Sequence, residues 1–429
     1  MDPAIRLLAS LVRGLVFLVL AGVGAFGCST CPNGGPAPLP DVPESRGQKS
    51  EVASQRSEVR GQRSEVRSEP NSILLTSDLR PLSSDKEAPP TEGQATPSVA
   101  CRPLQMLAMS GGVNGAPFTA GVLVGWTRSG TRPTFDQVTG ISSGSLIGAY
   151  AFLGPKYDAQ MQHLIVSMTT GDLIKFRPLC CMLWDGSFGS AKPAERLIRR
   201  AFDDCFIDDL RAAYAEGRRL YVGTMNLETK RLTIWDLGAI ASSGRSDAND
   251  LVRKVLLAAV SWPGAVPPVA FDIEVDGHCY REEHCDAGSV AMVLPPISSL
   301  PRCPAGSDLY VLESRKLYSE PEKVPKRACH RLKPSVTAIF EALTRADICR
   351  AYSHCLFSGM RFHLLALPQN YHGEPPGLTN LYPKEAPQLF EMGYHIGAAG
   401  PCWRLTPPGA EEGERPIPRD GREIRCAGW

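Results

Sequence analysis

The sequence predicts an α/β fold, a three-layer α/β/α sandwich around a mainly parallel central sheet. Two strand–turn–helix units and an alternation of strand-like and helix-like runs carry that expectation. In the first unit, Leu104 to Met109 is a short apolar run of strand length. It enters the turn Ser110-Gly111-Gly112-Val113-Asn114-Gly115, and an apolar segment with helical spacing, Phe118 to Trp126, follows. In the second unit, Val138-Thr139-Gly140-Ile141-Ser142-Ser143-Gly144-Ser145 runs into the apolar helix start Leu146-Ile147-Gly148-Ala149-Tyr150. Further along, Leu251 to Val260 reads as a helix stopped by Pro263 and Gly264. Val336, Ile339, Phe340 and Leu343 form a helical stripe after Pro334 and Ser335, and Phe362 to Leu367 reads as a late strand.

The chain has 429 residues, 43% of them hydrophobic, enough for one large core or two modest ones. Its formal net charge of +1 gives nucleic acid no electrostatic footprint to bind. Fourteen cysteines are many for a reducing compartment.

The N-terminus reads as an export signal over residues 1–27. Arg6 and Arg13 precede an uncharged apolar run, Gly14 to Gly27, that is short for a membrane span. The run ends in Ala25-Phe26-Gly27-Cys28, which resembles a bacterial lipobox, where the cysteine takes a lipid and becomes the mature N-terminus. Ordinary cleavage and an uncleaved anchor are the alternatives. A lipid on Cys28 would hold the chain on a membrane surface, as a lipoprotein facing the periplasm or cell exterior.

Residues 28–100 read as a disordered tether. Pro, Ser, Arg and Glu dominate, and a seven-residue near-repeat recurs as GQKSEVA from Gly47, SQRSEVR from Ser54 and GQRSEVR from Gly61. Each unit offers one strong apolar residue, Val52, Val59 or Val66, whereas a coiled-coil seam needs two per heptad. Residues 101–405 are expected to form the globular domain, and 406–429 a Pro-rich tail. Cys279 with Cys285, Cys349 with Cys355, and Cys402 with Cys426 are near enough in sequence to suggest disulfides, although spacing leaves connectivity open. Leu173 to Phe188 mixes large apolar residues with Pro and Gly and suits a lid, a membrane-contacting loop or core packing.

Three motifs carry chemistry. A Gly-rich turn between strand and helix makes a nest of backbone N–H groups that can hold phosphate or a transient oxyanion. No Gly-Lys-Ser/Thr closes it as in a P-loop, and a purely structural turn is the alternative. Gly140, Ser142 and Gly144 fit GxSxG, in which a serine on a tight strand-to-helix turn is strained and exposed; a helix-capping serine is the bland reading. Asp286-Ala287-Gly288-Ser289 is by itself a turn, notable for the apolar stretch and the Leu294-Pro295-Pro296 stop that follow.

In this order the motifs resemble the patatin-like phospholipases. The resemblance runs over roughly residues 103 to 405, through LAMSGGVNGAPFTAGVL from Leu107, GISSGS from Gly140, YVGTMNLETKRLTIWDLGAIA from Tyr221, LAAVSWPGAVPPV from Leu257 and DAGSVAMVLP from Asp286. It implies a catalytic dyad of Ser142 and Asp286, with oxyanion donors on Gly111, Gly112 and Val113, and needs neither cofactor nor metal. Val113 stands where the family has a third glycine, or one residue of the loop is missing; Asn114 stands in a loop where a basic residue is common, and Ala287 where glycine follows the aspartate. The implied activity is hydrolysis of lipid esters, as a phospholipase A or esterase. The alternatives are a general esterase on soluble esters and a noncatalytic membrane-tethered binding protein of the same fold. A Ser-His-Asp triad is the rival chemistry, because all eight histidines follow Ser142.

Overall fold

A computed structural model describes residues 102–177, 187–275, 278–297, 303–319, 328–372, 384–411 and 414, all within the unit formed by residues 99–429. The expected signal with Cys28, the tether and most of the expected tail lie outside these residues. Strands β1 (Gln105–Met109), β2 (Gln137–Ile141), β3 (Arg219–Asn226), β4 (Arg231–Asp236), β5 (Val269–Val275), β6 (His278–Asp286), β7 (Asp308–Glu313) and β8 (Arg361–Ala366) form one eight-stranded sheet. The longer helices are α1 (Ala116–Arg128), α2 (Ser143–Leu153), α3 (Asp158–Ser167), α4 (Lys192–Ala201), α5 (Asp204–Ala215), α6 (Ala248–Val260), α7 (Ala328–Ser358) and α8 (Ala386–Ala398).

The strand order is β8-β7-β1-β2-β3-β6-β5, with β4 also paired to β3. Strands β8, β7, β1, β2 and β3 run parallel. Strands β4 and β6 pair antiparallel with β3, and β5 pairs antiparallel with β6. Parallel strands covered on both faces need apolar residues on both, which explains the run Met106 to Met109 of β1; in β2 the buried Thr139 hydroxyl is satisfied by donating to the Leu294 carbonyl at 2.6 Å. Successive side chains of β1 enter different cores, as a period of two requires. Leu107 and Met109 join a core with α1, α2, α5 and α6, while Met106 and Ala108 join a second core with Ile348, Ala351 and Cys355 of α7. Helix α2 is buried at all of its 11 positions, and its sequence is apolar nearly all round. The result is the expected mainly parallel α/β sandwich, with most helices on one face and α7 on the other.

Helices α1 and α8 cross with almost no side chain between them. Gly121 and Gly125 lie on one face of α1, and Gly393 and Gly397 on one face of α8. A Cβ added at Gly121 would lie 2.0 Å from the Phe390 carbonyl oxygen, and one at Gly393 would lie 2.1 Å from that of Phe118. Alanine normally gains about 1 kcal/mol over glycine inside a helix. Here overpacking, at about 1–3 kcal/mol, should outweigh that gain. Gly393→Ala is therefore expected to lower the urea-unfolding midpoint; an unchanged or higher midpoint would mean that the crossing relaxes freely.

Three expectations need correction. Helix α7 does not start after Pro334 but at Ala328, with Pro334 inside it. Its sheet-facing side is Thr344, Asp347, Ile348, Ala351 and Cys355, whereas Ile339 of the anticipated stripe is 66% exposed. The suggested bridges Cys279–Cys285 and Cys349–Cys355 do not form, and all four thiols are free. The members of each pair share one strand or one helix. Six residues span about 20 Å along a strand and about 9 Å along a helix, beyond the roughly 7 Å reach of a disulfide. Cys426 lies outside the described residues. So does most of Leu173 to Phe188, whose described ends pair Phe176 with Gly189.

Candidate active site

Two registers on one strand bring distant residues together. On β3, Gly223 pairs with Ile141, the last residue of β2, and the next residue, Thr224, pairs with Asp286, the last residue of β6. Ser142 and Asp286, 144 residues apart in sequence, thus meet, and the Ser142 hydroxyl donates to Asp286 Oδ2 at 2.5 Å.

Ser142 sits between β2 and α2 with φ 53° and ψ −130°, a left-handed conformation uncommon for a residue with a side chain. Such strain costs on the order of 1–3 kcal/mol and concentrates at functional turns. The flanking glycines allow the turn to be this tight. A Cβ on Gly140 would lie 2.6 Å from Ser145 Cα, and one on Gly144 would lie 2.4 Å from the Ser110 carbonyl oxygen.

Asp286 is buried and fixed from three sides. Its N–H donates to the Ser261 carbonyl at 2.9 Å, its Oδ1 accepts from the Gly288 N–H at 2.8 Å, and its Oδ2 holds Ser142. Burial pushes its carboxyl up to about 6, against the opposing pull of the Ser142 and Gly288 hydrogen bonds. No described imidazole bonds to either residue. The nearest in sequence, His284, is buried with its ring between Thr224 Oγ1 at 2.9 Å and Glu282 Oε2 at 3.0 Å. That leaves the triad reading without a base among the described histidines.

The glycine-rich turn lies beside this pair. A Cβ on Gly111 would touch Ser142 Cβ at 3.2 Å, and Gly112 takes a φ of 138° that suits glycine. One anticipated oxyanion donor must be withdrawn. The Gly111 N–H already donates to the Met292 carbonyl at 3.0 Å, which leaves the N–H groups of Gly112 and Val113 as the candidates in this turn. Sequence reading also missed what braces Met292. Asp347, buried on α7, accepts from the N–H groups of Met292 and Val293 at 2.7 and 3.2 Å and pairs with Arg350. Its only sequence signal is an acidic residue on the buried face of a helix.

Ser142, Asp286, Gly112 and Val113 open onto a cavity of about 330 Å³ walled mainly by apolar side chains, among them Leu146, Met168, Ile174, Val266 and Phe340. A larger hollow of about 590 Å³, beside Leu364 and Arg404, holds no comparable pair, and its arginine is taken up by Glu414.

Residues 107–296 match the family model described as patatin-like phospholipase, so the chain carries a patatin-like phospholipase domain over that segment. Among solved structures it is similar to VipD from Legionella pneumophila, at 11% identity over 69% of this chain and 66% of that one, with a TM-score of 0.34. No curated protein matches it.

Proposed function

We propose that this protein is a serine acyl hydrolase acting on lipid esters, with Ser142 as nucleophile and Asp286 as general base. The observation that carries the reading is the 2.5 Å contact between a strained serine and a buried carboxylate at an apolar cavity. Asp286 would take the hydroxyl proton as Ser142 Oγ attacks the ester carbonyl. The carbonyl oxygen, gaining charge, would be held by the Gly112 and Val113 N–H groups. As the tetrahedral intermediate collapses, the alcohol leaves with the proton from Asp286, and the acyl group remains on Ser142. Water, deprotonated by Asp286, then releases the fatty acid. An ordinary aspartate, near 3.9, is too weak a base for neutral pH, and burial supplies the correction.

The proposal extends to location. Ala25-Phe26-Gly27-Cys28 supports export with a lipid on Cys28, and the Pro- and Ser-rich tether would let the domain reach a membrane surface.

Labelling by a fluorophosphonate, read together with acyl-chain release, tests the chemistry. Only ionised Asp286 can accept the proton, so both rates should rise with pH through about 6 and level off above it. Well below that point they should fall about tenfold per pH unit. Absence of labelling would reject the nucleophile, and a flat profile down to pH 4 would reject the base.

A further inference from the structure

One cation stands in this otherwise mainly apolar cavity. Arg315, two residues past β7, is the only basic side chain among the described residues that line it. Its stem packs on the glycine-rich turn: a Cβ added at Gly112 would lie 3.3 Å from Arg315 Cγ and 3.5 Å from Cδ. The head group is held from behind. Nε faces Glu313 Oε1 at 3.3 Å, and Nη2 donates to Thr344 Oγ1. Nη1 has no hydrogen-bond partner among the described residues, and the side chain keeps 28% of its surface exposed. The guanidinium is thus oriented by the protein yet retains a donor.

Glu313, the acid behind it, is entirely buried, its Oε2 has no hydrogen-bond partner among the described residues, and burial raises its carboxyl above the usual range. In a glycerophospholipid, the carbon bearing the phosphate oxygen is bonded to the carbon bearing the central ester. An ester carbonyl at the Gly112 N–H would therefore carry the phosphate close to the neighbouring Arg315.

We propose that Arg315 is a specificity-determining residue that binds the phosphodiester of the substrate and favours phospholipids over neutral glycerides. The inference rests on the acyl-hydrolase reading. The test compares wild type, Arg315→Gln and Arg315→Lys on phosphatidylcholine and on diacylglycerol in the same mixed micelles. Loss of a charge-assisted hydrogen bond predicts a fall of about 10- to 100-fold in kcat/KM on phosphatidylcholine for Arg315→Gln. Diacylglycerol hydrolysis should change less than about threefold, since no charged partner is lost there. Arg315→Lys should recover part of the selectivity, as a point charge without the planar fork. If Arg315→Gln does not fold, Arg315→Lys carries the test, and a loss confined to phosphatidylcholine supports the proposal. Equal loss on both substrates in either variant would overturn it in favour of a structural role. Inhibition of diacylglycerol hydrolysis by inorganic phosphate, relieved in Arg315→Gln, with no preference for phosphatidylcholine, would overturn it in favour of a free-anion site. A wild-type enzyme inert on both lipids would defeat the acyl-hydrolase reading itself, whereas activity without selectivity would defeat only this one.

Discussion

Ser142→Ala should abolish ester hydrolysis, with a loss of order 10⁴ or more, because no other group can take up the acyl chain. The protein should remain folded. Among the described residues the lost hydroxyl bonds only to Asp286, and removing that one partner of a buried carboxylate should cost about 1–3 kcal/mol, less than the roughly 5–15 kcal/mol that holds a domain folded. The neighbouring serines are internal controls. Ser143 and Ser145 are buried in α2 with hydroxyls that have no partner among the described residues, so replacing either with alanine removes no hydrogen bond seen there and should spare activity. Activity lost in Ser143→Ala or Ser145→Ala but kept in Ser142→Ala would place the nucleophile at the wrong position in the turn. Acyl release and circular dichroism on the three variants decide the matter.

Asp286→Asn should be nearly as damaging to turnover, by about 10²–10⁴, because an amide cannot accept the proton. Its effect on stability should have the opposite sign. The folded-state carboxyl lies near 6 and its ordinary value is 3.8. Between those values the folded chain holds a proton that the unfolded chain has released, so wild-type stability falls as pH rises through that window. Above it the protein carries an ionised carboxylate that burial disfavours. The asparagine variant avoids this penalty and keeps an oxygen for the Gly288 N–H. It should match wild type near pH 3, gain on it as pH rises from about 4 to about 6 and hold a constant lead above that, a trend that denaturant melts at several pH values would reveal. An asparagine variant with full activity would return the chemistry to a histidine.

Local pattern made some of this legible. The strand-length runs of β1 and β2, the glycines after them and the apolar helix starts are nearest-neighbour features, and they located the sheet centre and Ser142. Asp286 was readable only through its company, because its approach to Ser142 depends on two registers along β3 that no local pattern encodes. Other features were hidden for the same reason. Whether the Gly111 N–H is free depends on Met292, and Arg315 reaches the cavity from a strand on the far side of β1. The cysteine pairs failed in reverse: six residues are close in sequence but far apart on a rigid strand or helix. Pro334 marked a helix start by propensity, yet the helix continues through it.

The sheet order has a further consequence for how this domain can be cut or borrowed. The recognisable segment, residues 107–296, supplies the serine, the aspartate and the turn. It does not supply β7 and β8, which close one side of β1, or α8, which covers the glycine face of α1. Trimmed at that border, β1 would become a bare edge open to aggregation. The helix that carries the glycine-rich turn would lose its partner, and Arg315 would be gone altogether. Reading-frame boundaries drawn around the chemistry therefore fall inside the physical module, and a transplantable unit must extend at least to residue 398, the end of α8.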